Sequence, residues 1–366
     1  MKRVDDLIPW KVTDISLRPY REMWSMNPSI HFDGQLWRCV LRCTDYAMPG
    51  GVAIRSDRAK RSETQSKNAM VILDPARWKP VEIYKMRERD DLPRASCKSV
   101  GYEDIRIFRT DKGGLQGIAA SLHLERFDRH HRHAEQVLLS LDEEYNIVDA
   151  RPIRGEGWSR SPQKNWAPFD HCEEPRFLYA IDKGTLFAAR GELRVEDAVV
   201  RPSTRPRRPR APDVSAVQRA QERAREVERD HDRERDARRG RRDTTLRDRG
   251  NLPTEGAPSY VGLRGGTQLV SVGPDAWLGI GHAMKLVDKL KYYWHVWYLV
   301  DARGRMKAAS VPMKLAPNGI EFAAGMAIDG DRVVVSFGVD DMECRLGETK
   351  LSAVLEMLRP TAFTRR

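Results

Sequence analysis

The chain alternates short apolar runs with turn-forming residues over most of its length. In the first half the runs lie at 36–41, 69–73, 105–108, 117–122, 137–141 and 177–181, each bounded by Gly, Pro, Asp or Asn. After Tyr260 the same texture returns at 268–272, 277–280, 292–300, 319–324 and 332–337. Runs this short, separated by turn signals and without a long amphipathic period, predict many short strands in an all-β sandwich, barrel or propeller. Residues 350–358 read as a short closing helix.

Between these stretches the pattern breaks. Residues 201–212 are rich in Pro and Arg and are expected to be extended. Residues 213–242 hold almost no large apolar side chain, but carry Arg, Glu, Asp and Ala at helical spacing, as in Ala216, Arg219, Ala220 and Arg223. Charge pairs could support such a helix, yet it could bury no face. A disordered or solvated helical insertion is the expectation. The expected organisation is a first β part at 1–200, a charged Arg-rich insertion at 201–255 and a second β part at 256–366, the two β parts forming one fold.

Composition sharpens this picture. The 366 residues are 40% hydrophobic and 32% charged, a globular balance with a polar excess. Of the net charge of +11, a surplus of seven comes from 201–250, where 17 arginines face 10 acids. The basic character therefore belongs to the insertion and not to the body. Weak binding of a polyanion such as nucleic acid through 201–250 stays open, although interspersed acids and a lack of aromatics for base stacking weaken it. The five cysteines are odd in number and include no CxxC pair, as expected of reduced thiols. No apolar run approaches the roughly 18 residues of a membrane span, and no secretory signal is visible. A cytoplasmic location (the host cytoplasm if the source is viral) and no membrane partner are expected. The run Arg129-His130-His131-Arg132-His133 has metal-ligand residue types, but with two arginines inside it and no spaced carboxylates it reads as a solvated hairpin tip. Neither a metal nor a cofactor is expected.

Four segments carry candidate chemistry. In 98–109, Glu103 and Asp104 open a strand and are followed by Arg106 and Arg109. Neighbours on a strand point to opposite faces, so only one of the two acids enters a given pocket. A carboxyl beside fixed arginines can be tuned for proton transfer; a surface turn with salt bridges is the plainer alternative. In 163–169, Lys164, Asn165 and Trp166 offer a charge, an amide and a flat apolar face, a set suited to sugars and equally to a strand end with a core Trp. In 264–282, Arg264 suits a phosphate, Gly265 and Gly266 permit close backbone approach, and His282 ends an apolar run where a core histidine is also expected. The fourth set, 293–298, 319–325 and 335–341, is dense in aromatics and contains His295, Glu321 and Asp340. Glu321 lies in an apolar run, so it is either a paired structural acid or a site acid.

Together the segments YEDIRIFR (102–109), QKNWAPF (163–169), RGGTQLV (264–270), LGIGHA (278–283), YYWHVWYLVD (292–301), GIEFAAGMA (319–327) and VVVSFGVDD (333–341) resemble the five-bladed β-propeller superfamily of mannoside phosphorylases, glycoside hydrolase family 130, and related β-mannosyltransferases. The similarity is greatest to propellers of bacterial and phage glycosylation proteins, and it spans most of 27–345 outside the insertion. It implies an all-β, five-bladed propeller interrupted by the Arg-rich segment. It also implies that Asp104 matches the catalytic acid of the family's Glu-Asp-Pro-Arg motif, with Ile105 in place of the Pro. By the same resemblance Arg42, Glu103, Arg106, Lys164, Asn165, Trp166, Arg264, Gly265, Gly266, Gln268, His282, His295, Glu321 and Asp340 are candidates for substrate binding. The implied activity is inverting transfer of a sugar from a phosphate-activated donor to a glycan or other acceptor. Phosphorolysis or hydrolysis of a mannoside is the nearest alternative. A non-catalytic propeller that binds a glycan or nucleic acid is the alternative of another class.

Overall fold

The computed structural model describes residues 2–49, 52–56, 64–92, 99–112, 114–121, 134–153, 164–181, 185–190, 194–195, 263–287, 290–317 and 319–361. The Arg-rich segment 201–250, the histidine run 129–133 and Gln163 lie outside the described residues. The chain is all-β: its described part is built from strands, with one α-helix, Leu351–Met357, where the sequence predicts one.

Four-strand antiparallel meanders recur along the chain. Sheet 1 runs Trp24–Phe32, Trp37–Thr44, Thr64–Asp74, Lys79–Lys85, and sheet 2 runs Glu103–Thr110, Gly114–Ser121, Glu135–Leu141, Ile147–Pro152. Sheet 3 is Ala167–Pro168, Arg176–Ala180, Thr185–Arg190, Arg194–Val195. Sheet 4 is centred on the long hairpin Ala276–Val287 with Leu290–Val300, edged by Arg264–Gly265. Sheet 5 is Glu321–Asp329, Arg332–Val339, Glu343–Lys350, and its outer strand is Lys11–Asp14, from the other end of the chain. The described strands belong to one compact unit drawn from Met1–Val199 and Glu255–Arg366.

The leading segments of the five sheets touch in a cycle of pairs. Sheet 1 meets sheet 2 where the Ile107 N–H donates to Ser29 Oγ (3.1 Å), and sheet 2 meets sheet 3 where the His171 N–H donates to the Arg109 carbonyl (2.8 Å). Phe169 bridges to Leu269 between sheets 3 and 4. Gln268 joins the segment leading into sheet 4 to sheet 5, donating to the Met326 carbonyl at 2.5 Å and accepting the Met326 N–H at 3.1 Å, and it also donates to the Ile30 carbonyl of sheet 1 (2.7 Å). The Ile30 N–H donates to Ser336 Oγ of sheet 5 at 3.0 Å, completing the cycle.

This arrangement explains why Trp24–Phe32 carries no apolar run although it is almost wholly buried. Its alternate residues Ser25, Asn27, Ser29 and His31 are polar and buried; Asn27 and Ser29 bond to sheet 2 and His31 to Asp170 in the segment of sheet 3. A buried polar group is tolerated when it is bonded in this way. Pro28, which cannot donate to a ladder, sits where the register with Trp37–Thr44 shifts between Met26 and Ser29. The sheets approach so closely that a Cβ on Gly325 would lie 2.2 Å from the Ile30 nitrogen. Apolar clusters fill the spaces between sheets, such as Ile30, Trp37, Leu41, Val71, Val334 and Leu346 between sheets 1 and 5.

Candidate active site

Three leading segments carry a non-glycine residue in the left-handed conformation near one end: Asn27 (φ 46°), Asp104 (φ 53°) and Asn165 (φ 64°). Asn and Asp tolerate this region better than other side chains, and left-handed residues concentrate at functional sites. Asp104 lies at a bulge, because the register with Gly114–Ser121 shifts between Glu103 and Arg106. The bulge breaks strict alternation, so Glu103 and Asp104 both reach Arg42.

Around Asp104 the charges interlock. Arg42 Nη1 donates to Asp104 Oδ1 at 3.0 Å, and Nη2 lies 3.4 Å from Glu103 Oε1. Lys164 Nζ donates to Glu103 Oε2 at 2.8 Å, and the Asn27 amide donates to Asp104 Oδ1 at 2.9 Å. Arg42 is itself buried and held by Ser66 Oγ (3.0 Å) and the Tyr46 hydroxyl (3.2 Å). Burial by itself raises the Asp104 carboxyl; Arg42, the Asn27 amide, Lys164 and Arg106 outweigh it and hold the group at about 2. Glu103 is likewise held below its ordinary value, burial being outweighed by Arg42 and Lys164. Both are carboxylates at neutral pH.

A second group adjoins the first. Arg106, fully buried, donates to the Gly266 carbonyl and, through Nη2, to Asn165 Oδ1 (2.9 Å), with its guanidinium 5.4 Å from the Phe322 ring centre. Burial lowers it to about 10, still protonated at neutral pH. The His282 ring lies 4.9 Å from the same Phe322 ring and 5.8 Å from Tyr293. Burial, then His295, Arg106 and Arg264, push His282 far below the usual histidine range. Arg264 is exposed and forms no ion pair among the described residues. Asp341 and Asp104 both raise the Tyr293 hydroxyl, after burial, so these groups share one region.

The structure thus brings Arg42, Glu103, Asp104, Arg106, Lys164, Asn165, Arg264 and His282 together. Other candidates are placed differently from the expectation of substrate contact. Trp166 is fully buried against Phe177 and Tyr179, so its indole is core and no sugar platform. Gln268 is spent on the backbone bonds between sheets. Glu321, with no exposed surface, accepts from the Leu315 N–H (3.0 Å) and Ala316 N–H (2.6 Å) and faces His295 Nδ1 at 3.3 Å. His295 Nε2 accepts the Ala323 N–H at 3.1 Å, which puts the ring proton on Nδ1, toward Glu321. Glu321 is therefore the paired structural acid of the two alternatives. Asp340 caps the turn before sheet 5 by accepting the Ile320 N–H at 2.8 Å. Gly265 and Gly266 serve the packing of sheets and not a ligand: a Cβ would lie 2.6 Å from the Asn165 carbonyl at Gly265 and 2.8 Å from the Ala323 carbonyl at Gly266. His282 is neutral and buried, so it adds no positive charge for a phosphate. Tyr293, Phe322 and Asp341, from the fourth candidate set, also belong to the region, as do Asn27, Tyr46 and Ser66, which were not among the candidate site residues.

No family model matches the sequence, and no curated protein matches it. Solved structures do. A glycosyl hydrolase from Bacteroides ovatus aligns at a TM-score of 0.52 and 12% identity, over 93% of this chain and 86% of that one. A β-1,2-mannobiose phosphorylase from Listeria innocua, solved with β-1,2-mannobiose, aligns at 0.52 and 10% identity, over 94% and 96%. The chain shares its fold with these proteins, as the resemblance of its motifs implies. At such identities the likeness carries the fold alone.

Proposed function

We propose that the chain is a carbohydrate-active enzyme, a five-bladed propeller that transfers a sugar, mannose by the resemblance of its motifs, from a phosphate-activated donor to an acceptor hydroxyl with inversion. The cycle of contacts among five sheets, with Lys11–Asp14 closing the last sheet, supports the propeller reading. On that reading residues 1–200 and 256–366 are its two parts, separated by the insertion at 201–255. The observation that carries the reaction is the ionised Asp104, in a strained backbone conformation and surrounded by Arg42, Lys164 and Arg106.

The chemistry follows from the charges. The acceptor oxygen attacks the anomeric carbon, the bond from that carbon to the phosphate oxygen breaks, and the phosphate leaves with the electron pair. Asp104 takes the acceptor proton as the new bond makes that hydroxyl acidic. Exposed Arg264 and half-buried Lys164, which is paired with Glu103, meet the phosphate charge. A bound phosphate partly neutralises the cations that hold Asp104 down, so donor binding itself makes Asp104 a better base. Phosphorolysis of a mannoside would use the same groups in reverse, with Asp104 protonating the glycosidic oxygen.

Phosphate, a nucleoside diphosphate or a sugar 1-phosphate is expected to raise the melting temperature, by an amount that grows with the logarithm of its concentration above the dissociation constant. Arg264→Ala removes most of the shift. A shift that survives Arg264→Ala, or none with any phosphate ligand, contradicts the assignment.

A further inference from the structure

A second cluster of chemistry-bearing side chains lies away from Asp104. His31 is four residues beyond Asn27, and Asp170 and His171 are five and six beyond Asn165. At about 3.3 Å per strand residue, four residues span roughly 13 Å, which places His31 toward the opposite end of its strand. Each oxygen of the Asp170 carboxylate faces one imidazole: His31 Nε2 stands 3.2 Å from Oδ1 and His171 Nε2 3.8 Å from Oδ2. The three ligand atoms all lie within 4.8 Å of one another, and the two rings stack at 5.8 Å.

We propose that His31, Asp170 and His171 bind one divalent transition-metal ion, zinc by ligand type, that ties sheet 1 to sheet 3. Ligands on a tetrahedral zinc at about 2.0–2.1 Å stand about 3.4 Å apart, close to the spacing already present. Two imidazoles and a carboxylate suit zinc over the harder calcium and magnesium. The carboxylate is braced from behind, since Asp170 Oδ1 accepts the Arg109 N–H at 2.7 Å. The His171 backbone is left-handed (φ 52°), an uncommon conformation that places its ring beside Asp170. His31 and Asp170 are buried, whereas the His171 side chain is 49% exposed, so the cluster borders solvent. Cys172 is not in the cluster: its thiol lies against the Phe169 and Glu174 carbonyls, to one of which its single S–H donates. The site is independent of the sugar-transfer reading.

The test must separate this cluster from His130, His131 and His133, which can bind metal on their own. The full-length chain with those three changed to Ala is stripped with EDTA, then titrated with Co²⁺ and Zn²⁺ at neutral pH. The expected result is one bound equivalent with micromolar or tighter affinity, visible-region Co²⁺ bands of a tetrahedral site, and a rise in melting temperature with Zn²⁺. His171→Asn, a change at a half-exposed side chain to a residue that accepts φ 52°, should keep the metal-free melting temperature and weaken binding at least 100-fold; Asp170→Asn should weaken it similarly. No binding in the triple-Ala background, or binding that persists undiminished after His171→Asn, overturns the proposal.

Discussion

Asp104→Asn is expected to fold like the parent protein and to lose at least two orders of magnitude in turnover, the usual scale for removing a general acid or base. The substitution is chosen for its backbone. Asp104 sits at φ 53°, which Asn accepts, whereas Ala would confound the result with strain. Asn also keeps an oxygen for Arg42, so the pocket retains its shape while losing one negative charge. The pH dependence of stability provides an independent reading. The folded-state value of Asp104 is depressed to about 2, so its stabilising contribution is present above the ordinary carboxylate value and is lost as pH falls through about 2. Between pH 4 and 2 the parent should therefore lose more stability than Asp104→Asn, measured as urea midpoints. Near-normal turnover in the variant removes Asp104 from the mechanism.

The second large effect is on stability and not on chemistry. Glu321→Ala should cost about 3–5 kcal/mol, because the buried Leu315 and Ala316 N–H groups lose their acceptor and His295 loses the carboxylate 3.3 Å from its Nδ1. A drop in melting temperature of roughly 10 °C is the expected readout. Turnover assayed well below the transition should fall far less than in Asp104→Asn. A variant that melts like the parent yet loses activity would instead make Glu321 a site acid.

The legible parts of the chain are those where one property repeats locally. Runs such as 69–73 and 332–337 fall inside Thr64–Asp74 and Arg332–Val339 because these strands bury apolar residues on both faces. Trp24–Phe32 was hidden because its buried side chains are alternately polar and are satisfied by sheets distant in sequence. The site shows the same division. Glu103, Asp104 and Arg106 are visible as one motif, but the Asn27 amide that reaches Asp104 is 77 residues away, and His31 is 139 residues from Asp170. Local spacing holds no trace of such pairs. Trp166 was open to two readings because an indole beside Lys and Asn looks the same in sequence whether it faces a sugar or Phe177. The paired glycines 265 and 266 announce a close approach, but not whether a ligand or another sheet makes it.

On the proposed function, the charged region around Asp104 transfers a sugar from a phosphate-activated donor. The most direct measurement incubates the full-length protein and Asp104→Asn with a panel of sugar nucleotides and sugar 1-phosphates, with simple mannosides as acceptors, and follows products by mass and anomeric NMR. The expected result is a new glycoside from at least one donor, with inverted anomeric configuration and released phosphate or nucleoside diphosphate, and at least 100-fold less of it from Asp104→Asn. Product with retained configuration, product formed equally by Asp104→Asn, or no product from any donor contradicts it.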